Sequence, residues 1–106
     1  MAGLKQDYWQ NYVDSNWVDG GAGTLAVKNP VNGEPLAEIA LADAAYIDRA
    51  VKAALACHKS GGLSSMRTVD RGRLVRDMGD YLLANREEIA EMLTLESGKP
   101  YWEAVV

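Results

Sequence analysis

The longest periodic stretch of the chain runs from Asp70 to Pro100. Leu74, Val75, Met78, Tyr81 and Leu82 recur at the three- and four-residue spacing of one helix face, and Ile89, Met92 and Leu93 repeat it after a break. The spacing predicts two short helices that meet near Asn85. The Asn85 side chain is placed to accept a backbone hydrogen bond at the start of the second helix, with Glu88 completing a capping-box-like pair. Glu87, Glu88 and Glu91 read as the acidic first turn of that helix, where unpaired N–H groups favour negative charge. Gly98 suits a left-handed helix stop, and Lys99-Pro100 suits a new start. Tyr101, Trp102, Val105 and Val106 then open an apolar helical face with no visible end, which reads as truncation within a helix.

Upstream the period changes from helical to alternating. Tyr8 to Val18 alternates apolar and polar positions around Asp14-Ser15-Asn16, the pattern of a hairpin with Tyr12-Val13 leading in and Trp17-Val18 leading out. Asp19-Gly20-Gly21-Ala22-Gly23 is a loop by composition. Its glycines run into a strand, Thr24 to Val27, rather than a helix N-terminus, so the loop lacks the geometry of a phosphate cradle. Asn29-Pro30-Val31-Asn32-Gly33-Glu34 marks a tight reversal into a second strand, Pro35 to Leu41, with Ala37, Ile39 and Leu41 on one side. Asp43 is placed to cap a helix that starts at Ala44 or Ala45. Its stripe is Ile47, Ala50, Val51, Ala54, Leu55 and His58, and it ends by Ser60-Gly61-Gly62. The polar loop Leu63 to Arg67 leads to the next helix at Thr68 or Val69. The expectation is an α+β segment: a β-hairpin or meander over about 8–41, then three to four helices over about 44–106.

Composition adds limits. At 106 residues the chain has room for one modest core, stable only if nearly every apolar face finds a partner. Hydrophobic residues at 48% and charged residues at 25% are globular values and exclude a disordered chain. The net charge of −4 leaves no basic stripe for a phosphate backbone, so nucleic acid is excluded. Arg67, Arg71, Arg73 and Arg76 come nearest to one and read as a solvated helix face. One cysteine, Cys57, and one histidine, His58, make neither an internal disulfide nor a structural zinc site. Met1-Ala2-Gly3-Leu4-Lys5 begins no sustained apolar segment, so the reading is a cytoplasmic chain without a signal or membrane span.

In order and spacing, these pieces resemble the N-terminal segment of the NAD(P)-dependent aldehyde dehydrogenase superfamily. The carrying residues are the Tyr12-Val13…Trp17-Val18 hairpin, Asn29-Pro30…Gly33-Glu34, Asp48-Arg49-Ala50-Val51…Ala53-Ala54, Arg71-Gly72-Arg73-Leu74, and Leu95-Glu96-Ser97-Gly98-Lys99-Pro100. The resemblance implies a segment of an α/β Rossmann-like fold. In the complete enzyme a cysteine thiolate attacks the aldehyde, hydride passes to nicotinamide, and a glutamate activates the hydrolytic water. An asparagine side chain and a backbone N–H hold the oxyanion.

In the family those groups, and the cofactor-binding turn, lie downstream of the Gly-Lys-Pro motif. No catalytic and no cofactor-binding residue therefore maps onto this chain. Cys57 reads as a packing or semi-exposed thiol, and His58 as the end of its helix rather than its catalytic partner. The resemblance implies NAD or NADP for the full-length enzyme, with none bound by this segment alone. It also implies the remainder of the dehydrogenase chain as partner, and a homo-oligomer when complete. By position, the backbone carbonyls of Val27 and Lys28 are candidates for a monovalent cation site found in some family members. Glu96 and Lys99 are either an interface pair or a solvated one. The second reading, from another class, is a stand-alone truncated paralogue acting as a protein-interaction module.

Overall fold

A computed structural model of the chain describes residues 7–106; the reading of Met1 to Lys5 lies outside them. Strands come first and helices after. β1 (Tyr8–Trp9), β2 (Asn11–Val13), β3 (Asn16–Val18), β4 (Gly21–Lys28) and β5 (Pro35–Ala42) precede α1 (Ala44–Ser60), α2 (Thr68–Ala84), α3 (Arg86–Ser97) and α4 (Tyr101–Ala104). The expected α+β order is the one observed.

The hairpin is β2 against β3, with Tyr12 opposite Trp17 and Asn11 opposite Val18. Asp14 and Ser15 both take positive φ, 52° and 61°, the left-handed pair that matches the twist of two-residue hairpins. Asn16 belongs to β3 rather than to the turn, and its Nδ2 donates to the Asp14 carbonyl at 2.7 Å. The Tyr12 and Trp17 rings lie 5.0 Å apart at 60°, a tilted pair that adds to the hairpin's stability.

Tyr8 and Trp9 leave that hairpin and pair in parallel with Glu38 and Ile39, forming one edge of a three-stranded sheet ordered β1-β5-β4. The Gly21 to Gly23 stretch is strand rather than loop. Gly21 faces Ala42, Thr24 faces Ala40, and the register shift between them takes up the extra residues as a bulge. In β5 the buried residues are Ala37 and Ala40, three apart and so on opposite faces, while Leu41 is exposed. The expected single face of Ala37, Ile39 and Leu41 gives way to a strand covered from both sides.

The reversal between β4 and β5 satisfies its own polar groups. The Asn29 N–H donates to the Glu34 carbonyl at 2.9 Å, and the Gly33 N–H donates to the Asn29 carbonyl at 2.7 Å. The Asn29 and Asn32 side chains accept from the Val31 and Glu34 N–H groups. Asp43 caps α1 as expected, its Oδ1 accepting the Tyr46 N–H at 2.9 Å. Gly61 ends α1 and Gly98 ends α3, with φ of 74° and 75°.

Two expectations about α3 fail. Asn85 makes no side-chain cap to it: at φ −111° and ψ 13° its amide instead donates back to the Tyr81 carbonyl at 2.8 Å, closing α2. A residue shared by two helices serves the earlier one, whose last carbonyls also need partners. Glu91 lies on the second turn, beyond the acidic first turn of Glu87 and Glu88.

The core is thin. Among the described residues Val13, Ala37, Ala40 and Ala90 are the buried hydrophobics, and only Ala90 is fully so. The radius of gyration is 17.2 Å, against about 13 Å for a compact domain of this length.

Candidate functional site

Among the described residues no side chains come together as a reaction centre. Among the described residues no three His, Cys, Asp or Glu gather closely enough to hold a metal ion. Cys57 is an exposed free thiol. It shares an open cleft with His58, Ala54, Leu63 and Ser64, and no carboxylate or amide side chain lines that cleft to orient the imidazole.

What the fold does build is a set of surfaces. α3 faces the sheet, and Met92 and Glu96 line an open, mostly apolar cleft of about 240 Å³ with Trp9, Val27, Leu36, Ala37 and Ile39. At the far end of α3, a Cβ on Gly98 would lie 3.3 Å from Pro30 Cγ. The Asn-Pro turn and the Ser-Gly-Lys-Pro stop, distant in sequence, thus meet in space.

Val27 and Lys28 sit at the end of β4 opposite Ala37 and Pro35, with a second register shift between them. Their carbonyls are oxygens of the right chemistry for a hard cation, but two neutral ligands alone fall short of a full shell. On α3 the Glu91 Oε1 and Thr94 Oγ1 are buried without a hydrogen-bond partner in the chain. Sequence gave no signal for this, because burial of a second-turn glutamate depends on what packs over it.

The arginines divide by role. Arg71 Nη1 lies 3.3, 3.3 and 3.4 Å from the carbonyls of Leu63, Ser64 and Met66, so it donates into the loop ahead of α2. Arg67 and Arg73 both pair with Asp70, at 2.7 and 3.2 Å, on an exposed surface where such pairs contribute little. The Arg71-Gly72-Arg73 motif is thus a loop fastener beside a solvated pair.

The helices present unpartnered apolar stripes. On α1, Ile47, Val51 and Leu55 are 55%, 61% and 47% exposed; on α2, Val75, Met78, Tyr81 and Leu82 are more than half exposed. The chain presents 7984 Å² to solvent, roughly 2,000 Å² more than a compact protein of its mass. Isolated surface apolar residues are ordinary, but continuous stripes at helical spacing are interaction surfaces. No helix among the described residues is long and apolar enough to cross a membrane.

A model of the Aldehyde dehydrogenase family matches residues 17–106. The chain belongs to the aldehyde dehydrogenase family. It is 34% identical over 93 residues to N-succinylglutamate 5-semialdehyde dehydrogenase of Chromobacterium violaceum, covering 88% of this chain and 19% of that protein. Against an aldehyde dehydrogenase of Enchytraeus buchholzi it is 37% identical over 100 residues, covering 92% and 20%. The crystal structure of Staphylococcus aureus betaine aldehyde dehydrogenase in complex with NAD+ superposes with a TM-score of 0.90 at 30% identity, over 96% of this chain and 20% of that one. The chain therefore spans about a fifth of the length of these aldehyde dehydrogenases and has the fold of their N-terminal segment. In those aldehyde dehydrogenases the matching segment is one part of a much larger body. No comparison supports the alternative of a separate interaction module.

Proposed function

We propose that this chain is the structural N-terminal portion of an NAD-dependent aldehyde dehydrogenase that oxidises an aldehyde to a carboxylic acid, and that it supports the cofactor-binding domain without contributing a reacting group. The observation that carries the reading is the pair of exposed apolar stripes on α1 and α2 in a chain of this family. Stripes of that kind are covered when the remainder of the chain is present, and the helices then pack against the Rossmann-like sheet. The NAD+ complex of the Staphylococcus aureus relative supports NAD as cofactor. The complete enzyme would work in the cytoplasm as a homo-oligomer. The Val27 and Lys28 carbonyls would supply two of the oxygens of a monovalent cation site, the rest coming from the remainder of the chain.

The test is recovery of the native protein from its source, followed by an NADH-forming assay with a panel of aldehydes. The expected result is a species about five times the 11.5 kDa of this chain, active with NAD+ and at least one aldehyde. NADH formation by the purified 106-residue chain alone would overturn the assignment of the chemistry elsewhere.

A further inference from the structure

We draw no further inference here: the strongest candidate, the open apolar cleft between α3 and the sheet lined by Trp9, Val27, Ile39, Met92 and Glu96, carries nothing because nothing in the structure shows what covers it.

Discussion

Gly20 offers a sharp test of how the sheet is assembled, because two distinct costs can be separated there. It has φ of 75°, and a Cβ built on it would lie 2.4 Å from the Leu41 carbonyl oxygen, 2.6 Å from Asn11 Nδ2 and 2.7 Å from the Leu41 carbonyl carbon. Gly33 has nearly the same φ, 74°, with nothing within 4 Å of its Cβ position. Gly33→Ala therefore reports the left-handed backbone cost alone, about 1–2 kcal/mol. Gly20→Ala adds an overlap with strand backbone that no rotamer change relieves. Displacement of β5 also strains the 2.7 Å bond from the Asp43 N–H to the Gly20 carbonyl, and with it the start of α1. Overpacking of this kind costs typically 1–3 kcal/mol more. Urea denaturation of both variants against the parent, compared at equal slope, measures the difference directly. Equal destabilisation would refute the reasoning, since it would mean that the close approach of Gly20 to Leu41 carries no weight in solution.

Three further outcomes follow from other contacts. Asp43→Ala should destabilise by about 0.5–2 kcal/mol in the same denaturation assay, whereas Asp43→Asn, which can still accept the Tyr46 N–H, should stay near the parent. Arg71→Ala should release the loop before α2, seen as faster amide exchange at Ser65 and Met66, whose N–H groups bond within that loop, with α3 unaffected. Tyr8 should ionise above its ordinary value of 10.0, mainly because its hydroxyl donates to Asp19. Its raised folded value means that its contribution to stability is present below pH 10 and is lost as the pH rises through the folded value. Asp19→Ala should move one tyrosine to lower pH in a spectrophotometric titration, and an unchanged curve would count against the hydrogen bond.

What the sequence revealed and what it concealed divide along the range of the interactions. The Asp14-Ser15 hairpin, the Asp43 cap and the glycine stops at 61 and 98 were legible because each is decided within a few residues by backbone conformation and one side chain. The parallel pairing of Tyr8-Trp9 with β5 was not, since it joins segments some thirty residues apart over a two-residue strand. Gly21 to Gly23 read as loop because a bulge hides the alternation that marks a strand. Asn85 sits between two helices and could serve either; local pattern favoured the second, and the geometry serves the first. The fastening role of Arg71 and the orphaned oxygens of Glu91 and Thr94 depend on neighbours that sequence does not identify. The family motifs were readable as an ordered set, and their physical sense appears only where Pro30 meets Gly98.

The central claim, that the α2 stripe is a face covered by the rest of an aldehyde dehydrogenase, is tested most directly by thiol labelling. With Cys57 replaced by serine to remove the exposed native thiol, labelling of Val75→Cys, read on its own peptide by mass spectrometry so that other thiols of the complete enzyme do not count, is compared in this chain alone and in the complete dehydrogenase. Val75 is 67% exposed here, so the isolated chain should label rapidly. The account predicts labelling at least about tenfold slower in the complete protein, since covering this face requires an opening that costs on the order of 1.4 kcal/mol or more. Equal rates in the two would mean that the stripe faces water in the whole enzyme, and would contradict the scaffold reading.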